Sequence, residues 1–204
     1  MRSDLGGWTP GPQRSKLSSA GDIDKGTHLI YNLAIMVLPI LKYGAQELKT
    51  VSEPVSVFDG ALENIARNMI ETMYSVPGIG LAAPQIGLNI RLSTIDLSVG
   101  EDPSQLIVIC NPEIVVLDGE QRSEEGCLSV PEFTDTVTRP RKMRVRGQNI
   151  HGEPVQYDAE DLLARCFSHE IDHLNGILFI DRLSSLKKTL IRNKIKKLAK
   201  AGDW

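Results

Sequence analysis

The segment His169-Glu170-Ile171-Asp172-His173 constrains the fold of this chain more than any other feature of its sequence. It lies within residues 159–174, where apolar residues recur at helical spacing and Asn175-Gly176 supplies a stop. Side chains four positions apart share one face of a helix, so both imidazoles can reach one metal ion. Glu170 then lies beside the ion, placed to move a proton to or from water. The alternative is a helix with two surface histidines and no metal.

A catalytic site of this kind needs a third protein ligand, because such sites use three and leave one position open. The sequence after His173 is basic and contains no further histidine, so the third ligand must come from upstream. The obvious candidate is Cys127, in the segment Glu124-Glu125-Gly126-Cys127-Leu128-Ser129-Val130-Pro131. The alternative is a buried core cysteine, an interpretation that suits Cys110 and Cys166 well.

A glycine-rich segment, residues 78–87, follows a predicted helix. It does not fit a dinucleotide-binding fingerprint, which follows a strand, and Pro84 blocks a following helix. Alone, such a segment is more often a tight turn than a site. Its Gly-Ile-Gly backbone allows close approach to a substrate, and Gln85 carries an amide donor able to polarise a carbonyl.

The order of predicted elements favours an α+β fold. Helices are predicted over residues 59–74, 159–174 and 183–198. Strands are predicted over residues 90–97, over 106–117 with a break near Asn111-Pro112, and as a pair within 143–157 around a hairpin turn at 149–152. We therefore expect antiparallel β-sheets around a central metal-binding helix, with a C-terminal amphipathic helix.

Composition places the chain among soluble globular proteins. Hydrophobic residues make up 41% and charged residues 24% of its 204 residues, which excludes a disordered chain and a collagen-like repeat. Its three cysteines are an odd number, so a reducing compartment fits better than a disulfide framework. The longest apolar stretch, residues 29–41, falls short of the roughly 20 residues that a membrane span needs, so we expect no membrane partner.

The first 35 residues differ from the rest of the chain. They are rich in Gly, Pro and Ser and offer little to bury, whereas a more typical sequence begins at Met36. We expect residues 1–35 to be a leader or extension outside the catalytic fold, and residues 36–204 to be one domain. Asp22 and Asp24 argue against an export signal. The acidic residues of this segment also argue against a transit peptide, because transit peptides contain few of them.

The charge is distributed unevenly along the chain. Residues 181–204 contain eight Lys or Arg and two Asp, a net charge of +6, and the remainder sums to −9. This tail includes the predicted helix, whose lysines either face water or contact something anionic. The basic patch is too local to indicate a nucleic-acid-binding domain.

Three of these segments together resemble the peptide deformylase family. That family carries a Gly-x-Gly-x-Ala-Ala-x-Gln loop, a Glu-Gly-Cys-Leu-Ser segment and a His-Glu-x-x-His helix, which are here residues 78–85, 125–129 and 169–173. The resemblance spans about Met36 to Arg182 and continues into the C-terminal helix. The expected catalytic domain, residues 36–204, therefore includes the basic helix 183–200.

The resemblance implies a metal-dependent hydrolase that removes the formyl group from N-formylmethionine at the start of nascent polypeptides, releasing formate. Cys127, His169 and His173 would hold the metal, which in this family is typically ferrous iron, with zinc, nickel or cobalt able to replace it. Donor softness alone would have favoured zinc. The expected location is the cytoplasm, the expected partners are N-formylmethionyl peptides, and some family members also dock on the ribosome.

The resemblance also implies roles for individual residues. Glu170 would carry the proton from water to the departing amine, while the Gln85 amide and the Leu128 N–H stabilise the oxyanion. The peptide would add as a strand along Gly78-Ile79-Gly80.

The methionine side chain would enter an apolar pocket formed by Ile79, Leu128 and Cys166. We expect Glu125 and Arg139 to position the loop around Cys127; the alternative is a solvated carboxylate and a surface arginine. Residues 131–135 vary within the family, so no contacts are inferred there.

Two other classes of protein compete with this interpretation. A zinc endopeptidase would need a downstream Glu or His ligand, which the basic tail does not supply well, and a Cys ligand argues against it. A non-catalytic relative that binds formyl peptides or ribosomes would be expected to have lost Glu170, Gln85 or a ligand, and all of these are present.

Overall fold

Three helices and five strands form the part of the chain that the computed structural model describes, residues 35–204. The helices are α1 (Gly60–Ser75), α2 (Asp161–Leu174) and α3 (Ser185–Ala201). The strands are β1 (Gly80–Ala82), β2 (Leu92–Ile95), β3 (Ile107–Cys127), β4 (Val130–Gln148) and β5 (Pro154–Glu160). The extension expected at residues 1–35 lies, apart from Ile35, outside the described residues.

Each helix begins and ends where local chemistry satisfies its backbone. Asp59 caps α1 by accepting hydrogen bonds from the N–H groups of Ala61 and Leu62, both at 3.0 Å. Helix α2 stops at Asn175, followed by Gly176 with a φ of +71°, and a Cβ on that glycine would meet the Lys49 carbonyl oxygen at 2.7 Å. The predicted helices and the Asn-Gly stop are confirmed.

The described strands form one antiparallel sheet in the order β1-β2-β3-β4-β5. The predicted hairpin turn joins β4 to β5, and Gly152 there adopts a φ of +84°. Helix α2 lies centrally and buries most of its surface, including Phe167 and Ile171, in a core shared with β2, β3, β4 and β5. The α+β class with its central helix is therefore confirmed.

The predicted strand boundaries were partly wrong. Strand β3 does not end at residue 117 but continues to Cys127, and β4 begins at Val130 rather than at 143. The break expected near Asn111-Pro112 is a bulge within β3, where Asn111 has a φ of +52°. The hairpin was missed because Pro140 and an inward-facing Arg139 interrupt the apolar alternation that marks a strand.

The apolar positions predicted for α3 are only partly buried. Ile191 and Ile195 are buried against the body, but Leu186 and Leu190 are 70% and 54% exposed. The helix therefore contacts the body through a narrow stripe. None of the helices among residues 35–204 is long and apolar enough to cross a bilayer.

Candidate active site

Three potential metal ligands meet where the β3–β4 turn approaches α2. Cys127 is the last residue of β3, and His169 and His173 lie one turn apart on α2. One donor atom from each residue lies within 4.8 Å of the others, and Sγ of Cys127 is 3.3 Å from Nε2 of His173. A thiolate with two imidazoles is a donor set typical of zinc or iron. The residues present thus fit a divalent transition metal.

A carboxylate orients the first histidine. Oε2 of Glu125 lies 3.2 Å from Nδ1 of His169, so the imidazole donates from Nδ1 and leaves Nε2 for a ligand bond. Arg139 holds this carboxylate through Nε to Oε1 at 2.9 Å and Nη2 to Oε2 at 3.0 Å. Glu125 and Arg139 are only 7% and 4% exposed, so the surface alternative for them is wrong.

Sequence reasoning missed the other half of this ion-pair network. Arg139 also donates to Asp172, and Asp172 accepts from Arg182, which precedes α3. The signal was present, since Asp172 is an acidic residue between the two histidines on a helix with a strongly buried face. A buried guanidinium between two carboxylates is a strong arrangement because every charge has a partner.

Burial and charge set the protonation of these groups. Burial raises the pKa of Glu125, but hydrogen bonds from His169 and Arg139 outweigh it and lower that pKa to about 2. Burial lowers the pKa of His173 well below its usual value. A neutral imidazole is the form that binds a metal.

Glu170 lies beside the ligands in a buried position. Its Oε2 has no hydrogen-bond partner among the described residues, and burial raises its pKa to about 7. Gly80 approaches it so closely that a Cβ there would overlap Oε1 of Glu170 and lie 2.9 Å from Sγ of Cys166. The glycine-rich segment thus places main-chain atoms, with no side chain between, against the Glu170 carboxylate.

The Gln85 side chain is held in one orientation. Its Oε1 accepts from the Ala82 N–H at 2.8 Å, which turns Nε2 towards Ser129 Oγ at 3.3 Å and Cys127 Sγ at 3.8 Å. Gln85 is buried, so the amide donor is fixed beside the cysteine.

Five of these residues line one cavity of about 680 Å³, namely Gln85, Glu125, Cys127, His169 and Glu170. Its walls include every residue predicted for the substrate site, namely Gly78, Ile79, Gly80, Leu128 and Cys166. Leu128 lies in the two-residue turn directly after Cys127. Among the described strands β1 pairs only with β2, so its other edge is open to a further strand.

The family model for polypeptide deformylase matches residues 37–189. The chain belongs to the peptide deformylase family. This family removes the formyl group from the N-terminus of nascent peptides, so the expected reaction class is confirmed. The endopeptidase alternative is thereby excluded.

Curated relatives and solved structures agree with this assignment. A peptide deformylase of Acidobacterium capsulatum is 49% identical over 83% of this chain and 100% of its own length. The crystal structure of a deformylase from Legionella pneumophila is 44% identical, with a TM-score of 0.76 over 82% of this chain and 98% of that one. The Arabidopsis thaliana deformylase 1B structure, in complex with an inhibitor, is 34% identical with the same TM-score over 81% and 92%.

Proposed function

We propose that Cys127, His169 and His173 hold a divalent metal ion, and that the chain uses it to hydrolyse the formamide bond of N-formylmethionyl peptides. The observation that carries this proposal is the clustering of the three donor atoms within 4.8 Å, beside Glu170 and Gln85, which line the same cavity as Cys127 and His169. Bound there, the ion would supply a Lewis acid that polarises a carbonyl oxygen and makes water more acidic. The proposed ion is ferrous iron, with zinc, nickel or cobalt able to replace it, because all of these accept thiolate and imidazole donors.

Glu170 is the proton carrier in this proposal. Its carboxylate is buried beside the ligands and has an oxygen without a partner among residues 35–204, so that oxygen is available to a water or to the substrate. The carboxylate accepts a proton from the attacking water and delivers it to the departing amine.

Gln85 and Leu128 stabilise the oxyanion that forms on the formyl oxygen. The Gln85 amide is oriented before substrate arrives, because Ala82 and Ser129 hold both ends of it. A preorganised donor in a buried site stabilises developing charge without having to reorient. The main-chain N–H of Leu128, next to Cys127, supplies the second donor.

The peptide binds as an added strand along Gly78-Ile79-Gly80, whose outer edge faces the cavity. Main-chain hydrogen bonds of this kind do not depend on the sequence of the peptide. The methionine side chain enters an apolar pocket lined by Ile79, Leu128 and Cys166. Sγ of Cys166 lies there 3.5 Å from the Ile79 carbonyl oxygen.

The test is formate release from formyl-Met-Ala-Ser, with acetyl-Met-Ala-Ser beside it. The protein is purified without oxygen, loaded with iron and assayed for bound metal. We expect the formyl peptide to release formate and the acetyl peptide to release no acetate. Absence of formate from protein with one iron per chain would refute the proposal.

We further propose that α3 docks on the ribosome. Its exposed side carries Lys187, Arg192, Lys194, Lys196 and Lys197, while Ile191 and Ile195 face the body. Binding to ribosomal RNA through these cations would weaken steeply with salt. In co-sedimentation with ribosomes, K196E/K197E should lose binding and R67E, an exposed reversal on α1, should keep it. Equal binding by both variants would contradict the proposal.

We also propose that the catalytic domain begins at Met36 and acts in the cytoplasm. The Met36 N–H donates to Asn68 Oδ1 and the Leu38 N–H to Thr72 Oγ1, both at 2.9 Å, so the backbone is tied to α1 from Met36 onward. The three cysteines of the chain are free, which suits a reducing compartment. A chain starting at Met36 should match the full chain in kcat/KM, and cell fractionation should find the protein in the cytoplasm.

A further inference from the structure

A bulge within β4 interrupts its ladder with β3 directly beside the proposed metal ligands. Gly126 pairs with Thr134 and Cys127 pairs with Val130, so residues 131–133 have no partner across the ladder. We call Pro131-Glu132-Phe133 the bulge loop. Glu132 in it has a φ of +68°, a left-handed conformation that is costly for a residue with a side chain. All three loop residues line the cavity.

Strained backbone of this kind persists only when surrounding contacts hold it. The ladder itself does not hold the bulge loop, so its support comes from elsewhere. The ring of Phe133 packs edge-on against the indole of Trp204, with 6.1 Å between ring centroids. Trp204 lies beyond the end of α3 and does not itself line the cavity.

The same indole holds a second wall of the cavity. Its Nε1 donates to the Tyr43 carbonyl oxygen at 2.9 Å, and Nζ of Lys42 lies 5.5 Å from the ring centroid. Lys42, like Phe133, lines the cavity.

The segment that carries Lys42 is also tied to the catalytic groups. The Leu41 N–H donates to the Gln85 carbonyl oxygen and the Tyr43 N–H donates to the Ser129 carbonyl oxygen, both at 2.7 Å. Trp204 therefore connects this segment to the bulge loop. Movement of the indole would therefore loosen two walls of the cavity.

We propose that Trp204 is a positioning residue for the outer part of the peptide site, which receives the residues that follow formylmethionine. This inference rests on the proposed function. The formyl group lies at the metal ligands and the methionine side chain at Ile79, Leu128 and Cys166. Lys42 and Phe133 line parts of the cavity that neither group uses. If these two side chains are already fixed before binding, less conformational entropy is lost when a longer peptide binds.

The experiment compares a short and a long substrate, formyl-Met-Ala-amide and formyl-Met-Ala-Ser-Ala-amide, on iron-loaded full-length protein. In W204A, KM for the long peptide should rise by about three- to tenfold, the range expected from losing an aromatic pair. The short peptide should keep its KM, and kcat should stay within about twofold for both, since the contact affects binding alone. W204F retains a ring against Phe133 and should restore most of the affinity for the long peptide.

A matched variant separates positioning from stability. Ile195 is buried in the same apolar cluster as Phe133 and Trp204 but does not line the cavity. I195A should lower the melting temperature without raising KM for the long peptide. Any of three results would overturn the inference. These are a KM for the long peptide that rises as much in I195A as in W204A, a KM in W204A that rises equally for the short and long peptides, and a KM in W204A that is unchanged for the long peptide.

A second readout needs no turnover. The chain has two tryptophans, so in W8F the emission comes from Trp204 alone. The product-like peptide Met-Ala-Ser-Ala-amide should change this emission in a saturable way, and Met-amide should not. No change with the long peptide would count against the inference. Wild-type protein that releases no formate would refute the proposed function instead, and the titration would then decide this inference by itself.

Discussion

Oε2 of Glu125 lies 3.2 Å from Nδ1 of His169, and this contact joins the end of β3 to the helix that carries both histidines. Arg139 binds both oxygens of the same carboxylate, so Glu125 cannot rotate away without breaking two ion-pair contacts. The imidazole therefore has a preset orientation, which an exposed histidine would lack.

Removing this carboxylate should weaken metal binding. In E125A we expect metal affinity to fall by about 10- to 100-fold, because the His169 ring loses the partner that orients it. Competition with a chelator measures the affinity, and circular dichroism checks the fold. E120A, an exposed change on the same strand, is the control and should retain wild-type affinity. An affinity in E125A equal to that in E120A would mean that Glu125 does not orient the ligand.

Exchange of Glu170, the proposed proton carrier, should separate metal binding from turnover. E170Q keeps the size of the side chain but removes its basic oxygen, so kcat should fall by at least about 100-fold. Bound metal per chain should stay at the wild-type value, since Glu170 is not one of the clustered donors. Formate release and metal analysis on the same sample check both parts. Activity close to wild type would remove Glu170 from the mechanism.

The absence of a side chain at Gly80 should be essential for both activity and folding stability. In G80A the added Cβ overlaps Glu170 Oε1 and crowds Cys166, so we expect strongly reduced kcat/KM together with a loss of about 1–3 kcal/mol in unfolding free energy. G60A is the matched control, because a Cβ there meets no atom within 4 Å. Urea denaturation and formate release should show a large effect for G80A alone, and similar results for the two variants would contradict the packing argument.

Asp96 should make folding stability depend on pH. Burial raises the pKa of Asp96, but hydrogen bonds from Tyr74, Ser98 and Gly100 outweigh it and hold that pKa below its usual value. The folded state therefore gains stability above the ordinary carboxyl pKa of about 4, and this gain is lost as pH falls through the lowered value.

D96N tests this dependence. At pH 7 the variant should be less stable by about 2 kcal/mol, in keeping with lost hydrogen bonds to a buried charged group, and the difference should shrink in acid. D102N, at a partly exposed carboxylate that also accepts local hydrogen bonds, should show a smaller effect. A D96N deficit that is constant from pH 7 down to pH 2.5 would refute the assigned cause.

Local patterns predicted the helices and the identity of the clustered donors. The apolar spacing in residues 159–174 and the Asn-Gly stop are properties of neighbouring residues, and the structure confirms the helix they predict. The three motifs also identified the family. The missed half of β4 shows the limit of such patterns, because Thr134, Thr136 and Thr138 pair with residues of β3 that lie 8 to 16 positions upstream.

By itself, the sequence determined the fold class, the three helices and the three side chains that cluster at the candidate site. A helix depends on residues three and four positions apart, and that information is contiguous in the chain. Only the tertiary structure decided how those side chains are held. Arg139 reaches Glu125 across 14 positions and Asp172 across 33, and Trp204 reaches Tyr43 across 161. Contacts over such separations leave no local periodicity, because they arise only after the sheet has brought distant segments together.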